Sequence, residues 1–252
     1  MLVAPYGDIG YAFCIIAGII LAAIIFIFYM KKKGIKRNDI IDLLLTFIGA
    51  AIIGFVFAFV FQTIYDVIKE GDKYVFSFKM TFYGGLIGGV LGFLLLYFLI
   101  YIKKHKNVFD LILIIFPSCI CFAHGLGRIG CFLAGCCYGV PTESVIGIIF
   151  PALNDGIKRI PTQLIEAIFL LLLGTILCVL AFKKDFKYSV IIYLFSYTIF
   201  RFVIEFYRGD NRGGNVNCPL SPSQIICIIL FALTIPLIFI LNKYVFKVKE
   251  DA

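Results

Sequence analysis

Residues 11–30 read YAFCIIAGIILAAIIFIFYM and are followed at once by Lys31, Lys32 and Lys33. A helix of about 20 predominantly apolar residues is long enough to cross the hydrocarbon layer of a bilayer. The basic residues follow this run, whereas a cleaved signal peptide carries its basic region in front of the apolar one. The run therefore predicts a retained transmembrane helix.

The composition of the whole chain supports the same interpretation. Of the 252 residues, 62% are hydrophobic and 15% are charged, whereas soluble domains carry about 45–50% apolar and about 25% charged residues. We predict an all-α, polytopic membrane protein with seven transmembrane helices in a single domain that covers residues 1–252. The predicted spans are residues 11–30, 40–64, 83–102, 109–127, 162–182, 188–207 and 223–242.

Lysines follow the first, third, fifth and seventh of these spans. They are Lys31, Lys32, Lys33, Lys36, Lys103, Lys104, Lys106, Lys183, Lys184, Lys187, Lys243, Lys247 and Lys249. All of them fall on one side of the membrane if the chain crosses it seven times. The positive-inside rule then predicts an N-terminus outside and a C-terminus inside. This placement explains the formal net charge of +8, so we expect no nucleic-acid partner.

Two connections on the predicted outer side have features of their own. Residues 128–161 form a long connection that contains the apolar stretch Val145 to Pro151. We predict a small outer head there, between the fourth and fifth helices, with short strands. Before the last helix, Ser221 and Pro222 are a typical N-cap and N1 pair.

The arginines are distributed differently from the lysines. Arg128, Arg159, Arg201, Arg208 and Arg212 lie on the predicted outer half or in the sixth helix. A guanidinium group pairs with two oxygens of a phosphate and stays charged in a low dielectric. The cluster therefore indicates a site for an anionic lipid headgroup that enters from the outer leaflet. Arginines that snorkel to the interface are the alternative interpretation.

The sixth helix places several polar residues on one face. Tyr197, Arg201, Glu205 and Arg208 are four, four and three residues apart. An ionisable residue within a membrane costs roughly 2.5–3.5 kcal/mol, so such a stripe normally faces the bundle interior or a wet cavity. A purely structural Arg201–Glu205 pair between helices would explain the same pattern.

The third and fifth helices carry further candidates at their predicted outer ends. Tyr83 precedes the run GGLIG at residues 84–88, whose glycine spacing lets another backbone approach closely. Gln163 and Glu166 open the fifth helix. Glu166 is either a charge of the first turn or a partner for an arginine.

Three cysteines follow the fourth span, in the sequence CFLAGCC at residues 131–137. Zinc sites usually show paired C-x₂₋₄-C spacing, which the adjacent Cys136 and Cys137 do not provide, so we expect no metal. Close packing of small residues is the favoured explanation for the thiols. A disulfide on the outer face, such as Cys131–Cys136, is the alternative.

Four segments in this order resemble the prolipoprotein diacylglyceryl transferase family. They are GGLIG at 84–88, GRIG at 127–130, PTQLIEA at 161–167 and RFVIEFYR at 201–208, and the resemblance runs from Tyr11 to about Gln224. It implies seven helices, an outside N-terminus and a location in the bacterial plasma membrane. The implied reaction moves the diacylglyceryl group of phosphatidylglycerol to the lipobox cysteine thiol of a prolipoprotein, and it uses no metal or cofactor.

The resemblance also implies roles for individual residues. Arg128 and Arg201 match the essential arginines of the family. The residues implied to line the same cavity are Tyr11, Gly139, Tyr197, Glu205 and Arg208. Gly84, Gly85, Gln163 and Glu166 complete the set of substrate-binding candidates.

The chain departs from the family pattern at two positions. Tyr83 stands where a histidine usually precedes GGLIG, and Cys131 stands where an asparagine usually follows GRIG. Either Tyr83 or His124, one helical turn before Arg128, is then the candidate for the activating base. The departures keep two further hypotheses open: a transferase of the same fold with a different acceptor, and a non-catalytic lipid-binding membrane protein.

Overall fold

A computed structural model describes residues 7–70, 82–209 and 220–246, which are mostly helical. The helices are α1 (Gly7–Lys32), α2 (Arg37–Glu70), α3 (Phe82–Leu96), α4 (Phe109–Leu133), α5 (Thr162–Lys184), α6 (Ser189–Glu205) and α7 (Pro222–Leu241). α3 continues through a π-helical turn (Tyr97–Tyr101) into a last helical turn (Ile102–Lys104). α7 continues into a π-helical turn (Asn242–Phe246).

Within the described ranges, 6 helices are long and apolar enough to cross a membrane: α1, α2, α3 with its continuation, α4, α5 and α7. α6 has 17 residues. Large apolar side chains such as Phe13, Leu172 and Phe239 are exposed on these helices. Such apolar surfaces are unfavourable in water and are suited to contact with the hydrocarbon layer of a membrane. The chain is a multi-pass membrane protein, as its composition predicts, while the seventh span and the sidedness stay predictions.

The described residues form two compact units. The first contains residues 7–29, 109–209 and 220–246, and so holds nearly all of α1 together with α4, α5, α6 and α7. The second contains residues 30–70 and 82–108, with α2 and α3.

In the first unit, glycines let α1 and α5 approach α4 closely. A Cβ on Gly18 of α1 would lie 2.9 Å from the carbonyl oxygen of Ala123. A Cβ on Gly174 of α5 would lie 2.8 Å from the Cβ of Cys121. Membrane helices associate through such small residues because lipid tails supply no hydrophobic driving force between them.

The core of the first unit lies between α4, α5 and α6. Cys121 of α4 is buried with three leucines of α5, and Tyr193 and Tyr197 of α6 pack against this group. Phe169 of α5 and Phe200 of α6 stack with their ring centroids 4.0 Å apart. These apolar contacts fix the rotation of α6 and with it the direction of its polar residues.

α4 is longer than the sequence predicts. The predicted fourth helix ends at residue 127 and the predicted head begins at 128, but α4 continues to Leu133. Glycine destabilises an isolated helix by about 1 kcal/mol. Here Gly125 and Gly130 lie where neighbouring helices touch α4: a Cβ would be 3.0 Å from Leu171 and 3.1 Å from Tyr11, respectively. Packing thus compensates for the glycines, and Arg128 lies on a helix rather than in the head.

The connection between α4 and α5 holds the short strands that the sequence predicts. β1 (Ile148–Ile149) and β2 (Lys158–Arg159) pair antiparallel, with Ile148 opposite Arg159. Between them, a 3₁₀ turn (Pro151–Leu153) follows the buried Phe150. The Phe150 ring packs on Phe132 at the end of α4, with ring centroids 5.9 Å apart.

In the second unit, the glycine run of α3 packs against α2. A Cβ on Gly54 of α2 would lie 2.8 Å from the carbonyl oxygen of Gly85, and a Cβ on Gly88 would overlap the side chain of Phe57. At the lysine-rich end of this unit, His105 lies 3.1 Å from Asp39 and 2.7 Å from Asp42. The glycine spacing of GGLIG therefore serves close packing within this unit.

Candidate active site

Glu166 is the buried centre of a polar cluster in the first unit. It lies in the first turns of α5 and has 0% of its surface exposed. Its Oε2 is 2.9 Å from Nε of Arg128 on α4, and its Oε1 accepts a hydrogen bond of 2.9 Å from the hydroxyl of Tyr197 on α6. A buried carboxylate needs such partners because burying an isolated charge costs several kcal/mol. Glu166 is thus the partner of an arginine, one of the two alternatives that the sequence leaves open.

His124 lies beside the same carboxylate. Its Nε2 is 3.8 Å from Oε1 of Glu166, and its ring meets that of Tyr197 edge to face with centroids 5.5 Å apart. Its side chain keeps 26% of its surface exposed. His124 is therefore a titratable group within the cluster that a bound molecule can still reach.

A second group of charges lies at the end of α6. Nη2 of Arg201 is 2.7 Å from Oε2 of Glu205, and Nε of Arg208 is 4.0 Å from the same oxygen. The hydroxyl of Ser221 donates a hydrogen bond of 3.0 Å to the other carboxylate oxygen. Arg201 and Glu205 lie on one face of α6, as their spacing predicts, whereas Arg208 lies beyond the end of the helix, in a β-bridge with Gly139.

Ser221 also begins α7, as the sequence predicts. Its side chain accepts the backbone N–H of Gln224 at 3.2 Å, and the Gln224 side chain accepts the backbone N–H of Ser221 at 2.9 Å. This reciprocal capping box satisfies two backbone donors that a helix start would otherwise leave unpaired. The start of α7 is thereby joined to Glu205.

The cluster arginines point into the protein rather than to its surface. Arg201 is 7% exposed, and the side chains of Arg128 and Arg208 are 14% and 3% exposed. The snorkelling interpretation is therefore wrong for these three.

Arg159 lies apart and pairs with Asp155 of the head at 2.6 Å, which lowers the pKa of that carboxyl group. Arg212 lies outside the described residues.

The two groups of charges form one cluster, because Arg201 also lies within electrostatic range of Glu166 and of His124. Three arginines face two carboxylates in this cluster. Among residues 7–70, 82–209 and 220–246, the buried Nη1 of Arg201 has no hydrogen-bond partner. Buried donors are almost always paired, so this nitrogen indicates the place of a ligand oxygen.

The sequence of this chain was compared with those of known families and proteins. The family model described as prolipoprotein diacylglyceryl transferase matches residues 9–240. The chain belongs to this family.

Relatives within the prolipoprotein diacylglyceryl transferase family align with part of the chain. A phosphatidylglycerol–prolipoprotein diacylglyceryl transferase 2 of Clostridium perfringens is 42% identical over 146 residues, 56% of this chain and 56% of that protein. The corresponding transferase of Clostridium tetani is 42% identical over 144 residues, 56% of this chain and 55% of that protein. One from Helicobacter pylori strain J99 is 33% identical over 156 residues, 60% of this chain and 53% of that protein. The chain thus spans about half the length of the curated relatives it matches.

Three of the segments that resemble the prolipoprotein diacylglyceryl transferase family meet in the cluster. The GRIG segment lies on the last turns of α4, PTQLIEA opens α5, and RFVIEFYR ends α6. The fourth segment, GGLIG, belongs to α3 in the second unit. There Gly84 is buried and Gly85 packs against α2. Tyr83 lies in the first turn of α3, and its side chain falls outside the described residues.

Gly139 lies where main-chain hydrogen bonds join the head to the end of α6. Its N–H donates to the carbonyl of Ile160 at 2.8 Å, and the N–H of Val140 donates to the carbonyl of Tyr207 at 2.9 Å. A Cβ on Gly139 would lie 2.6 Å from the Tyr207 carbonyl oxygen. This close approach requires glycine at position 139. It also positions Arg208, which directly follows Tyr207 in the chain.

Tyr11 of α1 lies beside the same end of α4. It is 39% exposed, its Cα would be 3.2 Å from a Cβ on Gly130, and it lies within electrostatic range of Arg128. The structure thus brings Tyr11 next to the cluster, where a bound molecule can reach its hydroxyl.

The three cysteines that follow Arg128 come together at the end of α4. Their sulfur atoms all lie within 4.8 Å of one another, and such a group can hold a metal ion. Hydrogen bonds from the thiols of Cys131 and Cys136, and then Arg208, lower the pKa of Cys137 well below its ordinary value. Hydrogen bonds with Cys131 and Cys137 raise the pKa of Cys136.

Two buried residues of α5 hold the turn that carries these cysteines. The Thr162 hydroxyl donates to the carbonyl of Cys137 at 2.8 Å, and Nε2 of Gln163 donates to the carbonyl of Cys136 at 3.1 Å. Cys137 has a left-handed backbone with φ 63°, a conformation that costs a non-glycine residue about 1–3 kcal/mol. Gln163, a substrate-binding candidate, therefore also has a structural role, because its side chain holds the turn that carries the cysteines.

Thr162 and Ser221 are site residues that the sequence analysis does not select. A local signal exists for each, since Thr162 opens a helix and Ser221 has the pattern of an N-cap. Their partners, however, are a carbonyl and a carboxylate far away in the sequence. Only the fold reveals that these two side chains belong to the site.

Proposed function

We propose that this protein transfers the diacylglyceryl group of phosphatidylglycerol to the lipobox cysteine thiol of a prolipoprotein and releases glycerol phosphate. The observation that carries the proposal is the buried Arg201, with an Nη1 donor that no described residue satisfies. The phosphodiester of phosphatidylglycerol has one negative charge, which a guanidinium group can pair with through two oxygens. The two clostridial relatives are named for phosphatidylglycerol as the donor and prolipoprotein as the acceptor, which supports this assignment.

The arginines supply the main catalytic effect of the proposed reaction. The acceptor sulfur attacks the glycerol carbon that bears the phosphate, a C–S bond forms, and the C–O bond breaks with its electron pair going to the phosphate oxygen. Arg201 and Arg128 would stabilise the charge on that leaving group. Fixed donors in a site of low dielectric are usually the largest catalytic contribution.

The acceptor thiol must lose its proton, because the thiolate is the nucleophile and a free cysteine has a pKa of about 8.5. His124 fits this task because its Nε2 lies 3.8 Å from the Glu166 carboxylate and its side chain keeps 26% of its surface exposed. Tyr83 occupies the position of the usual histidine, although a phenol with a pKa of about 10 is a weaker base. The two residues are the alternatives for the activating group.

The proposed site faces the outer leaflet of a bacterial plasma membrane. The lysine-rich connections would lie inside, and α6 would be a seventh span that carries the arginine face. At about 1.5 Å per residue, the 17 residues of α6 give a helix that nearly crosses the hydrocarbon layer. Phosphatidylglycerol would enter from the bilayer, and the prolipoprotein would present its signal peptide beside it.

A different acceptor is the second candidate function. Tyr83 and Cys131 replace the histidine and the asparagine that the family usually has. The family's arginines are retained, whereas the residues proposed to act on the acceptor differ. This combination favours a transferase whose acceptor is another thiol, a hydroxyl group or a glycan. The retained Arg128 and Arg201, which match the essential arginines of the family, favour an enzyme over a non-catalytic lipid-binding protein.

Complementation tests the proposal directly. Cells depleted of their own diacylglyceryl transferase should regain growth and lipidated prolipoprotein when they express this protein, but not when they express the Arg201→Ala variant at the same level. Purified protein should release glycerol phosphate only when both phosphatidylglycerol and a lipobox peptide are present. Release that requires a hydroxyl or glycan acceptor would replace the first function with the second.

A further inference from the structure

The cluster of Cys131, Cys136 and Cys137 is not explained by any step of the proposed reaction. Its three sulfur atoms lie within 4.8 Å of one another. In a tetrahedral zinc site the Zn–S distance is about 2.3 Å, so neighbouring sulfurs are about 3.8 Å apart. A shift of about 1 Å or less would therefore bring all three sulfurs to one zinc ion.

The backbone around the cluster is fixed before any ion binds. Two buried side chains of α5, Thr162 and Gln163, hold the carbonyls of Cys137 and Cys136. Cys137 has a left-handed backbone although it is not glycine, and such strain persists only where the surroundings enforce it. Because the fold maintains this conformation, the sulfurs are presented together rather than brought together by chance in a loose turn.

The charges around the cluster fit a thiolate site. Three thiolates and Zn²⁺ carry one net negative charge. Arg208 contacts the Cys137 thiol, and Arg128 lies within electrostatic range of Cys131. Cysteine sulfur is also the ligand that thiophilic cations select over Mg²⁺ or Ca²⁺.

We propose that Cys131, Cys136 and Cys137 form a three-thiolate site for Zn²⁺, whose fourth position accepts the thiolate of an external ligand. The sequence predicts no metal because it lacks paired C-x₂₋₄-C spacing. In the structure, however, one turn of backbone brings three thiols together. Sites with three protein ligands keep a position for water or substrate. All three sulfurs bind the ion as thiolates, so any proton that they carry is released, and binding of the external thiol releases its own proton.

The role of the open position rests on the proposed function. A lipobox thiol bound to Zn²⁺ would be deprotonated at neutral pH, and its sulfur would then form the C–S bond as glycerol phosphate departs. Cys136 is exposed, so an acceptor can reach the site from outside. This arrangement would also supply the activation that the family usually assigns to the histidine replaced by Tyr83.

Cobalt binding tests the site without any turnover. Co²⁺ added to purified, reduced and metal-free full-length protein should bind in a 1:1 ratio and give the intense near-ultraviolet absorption of cobalt–thiolate bonds, which Zn²⁺ should abolish by displacement. Each of Cys131→Ser, Cys136→Ser and Cys137→Ser should weaken Co²⁺ binding at least tenfold. Cys178→Ser is the matched control on α5 and should bind Co²⁺ as the wild type does.

The exposed position of Cys136 gives a variant that tolerates substitution. Cys136→His should retain Co²⁺ binding with a weaker thiolate absorption, because an imidazole nitrogen also binds zinc and cobalt. A wild-type protein that shows no thiolate absorption, or one whose absorption persists in Cys137→Ser, would overturn the site. So would a Cys131–Cys136 disulfide found in protein whose thiols were alkylated before cell lysis, since those sulfurs would then form a redox pair.

A lipobox peptide tests the open position separately. With its cysteine, the peptide should increase the thiolate absorption of the Co²⁺-loaded protein, and with serine in that place it should have no effect. Equal spectra for the two peptides, or transfer that survives complete removal of metal, would overturn the acceptor role. The Arg201→Ala variant should lose transfer and keep the cobalt spectrum, so a failure of the proposed transferase function is distinguishable from a failure of the metal site.

Discussion

Nε of Arg128 lies 2.9 Å from Oε2 of Glu166, and this contact joins α4 to α5 inside the first unit. Because Tyr197 of α6 donates to the other oxygen of the same carboxylate, one side chain holds three helices. The arginine that would stabilise the leaving phosphate is thus positioned by a residue that need not touch the substrate.

We expect Glu166→Gln to destabilise the protein and to reduce transfer together. The amide keeps the shape but leaves the Arg128 charge buried without a counterion, which typically costs about 3–5 kcal/mol. Tyr197→Phe is the matched comparison, since it removes one hydrogen bond to the same carboxylate and should cost about 1–3 kcal/mol. Thermal unfolding in detergent measures both variants. Equal unfolding temperatures for Glu166→Gln and wild type would contradict the role of this carboxylate.

Arg201→Ala and Arg128→Ala should each abolish measurable transfer while the protein remains inserted in the membrane. Removing one preorganised donor to a developing anion costs about 10²–10³-fold in rate, and alanine removes the whole guanidinium. Arg201→Lys should also lose most activity because an ammonium group cannot reproduce a bidentate fork. Release of glycerol phosphate from phosphatidylglycerol is the measurement. Near-normal transfer by purified Arg201→Ala would remove the phosphate-stabilising role.

Three variants should identify the activating group. If His124 is the base, His124→Gln should remove most transfer while Tyr83→Phe is tolerated, and we favour this result because His124 lies beside the Glu166 carboxylate within the cluster. If Tyr83 is the base, the two results should be reversed. Tyr83→His restores the usual residue of the family, and a gain in prolipoprotein modification would show an intact acceptor site. Full activity in both Tyr83→Phe and His124→Gln would exclude both residues as the base.

Gly139→Ala should destabilise the junction between the head and α6. Its new Cβ would lie 2.6 Å from the carbonyl oxygen of Tyr207 and 2.8 Å from Ile160, so backbone must move. Gly127→Ala is the control, because a Cβ there meets nothing within 4 Å and alanine favours a helix by about 1 kcal/mol. We expect a lower unfolding temperature for the first variant and an unchanged or higher one for the second. The opposite order would show that the Gly139 approach is not a constraint.

Reporter fusions and cysteine-accessibility labelling should place Lys31–Arg37 and residues 103–106 inside, and the head outside. The physical reason is the concentration of lysines in the connections assigned to the inner side. Labelling that places residues 103–106 outside would overturn this topology and the assignment of the site to the outer leaflet.

The helices of this protein follow from its sequence more readily than their contacts do. Apolar runs and the lysines behind them locate α1, α5 and α7 to within a few residues, because span length and charge placement are local properties. The end of α4 is not local, since Gly125 and Gly130 remain helical only because Leu171 and Tyr11 pack against them.

The candidate site divides in the same way. The spacing of Arg201 and Glu205 is enough to predict a common face, since helical periodicity determines it, whereas Arg208 lies beyond α6 and depends on its bridge to Gly139. The link from Glu166 to Arg128 depends on how three helices pack, so the sequence leaves it as one of two alternatives. Cys137 is the hardest case, because its left-handed backbone is imposed by side chains of α5 and leaves no trace in the local pattern.

The hydrogen bonds that join the head to α6 have one further consequence. They connect Gly139 to Ile160 and Val140 to Tyr207 through peptide groups alone. Peptide groups are the same whatever side chains they carry, so residues of the head between these anchors can be exchanged during evolution without displacing Arg208. The scaffold thus separates the side chains that the head presents from the geometry of the buried charges.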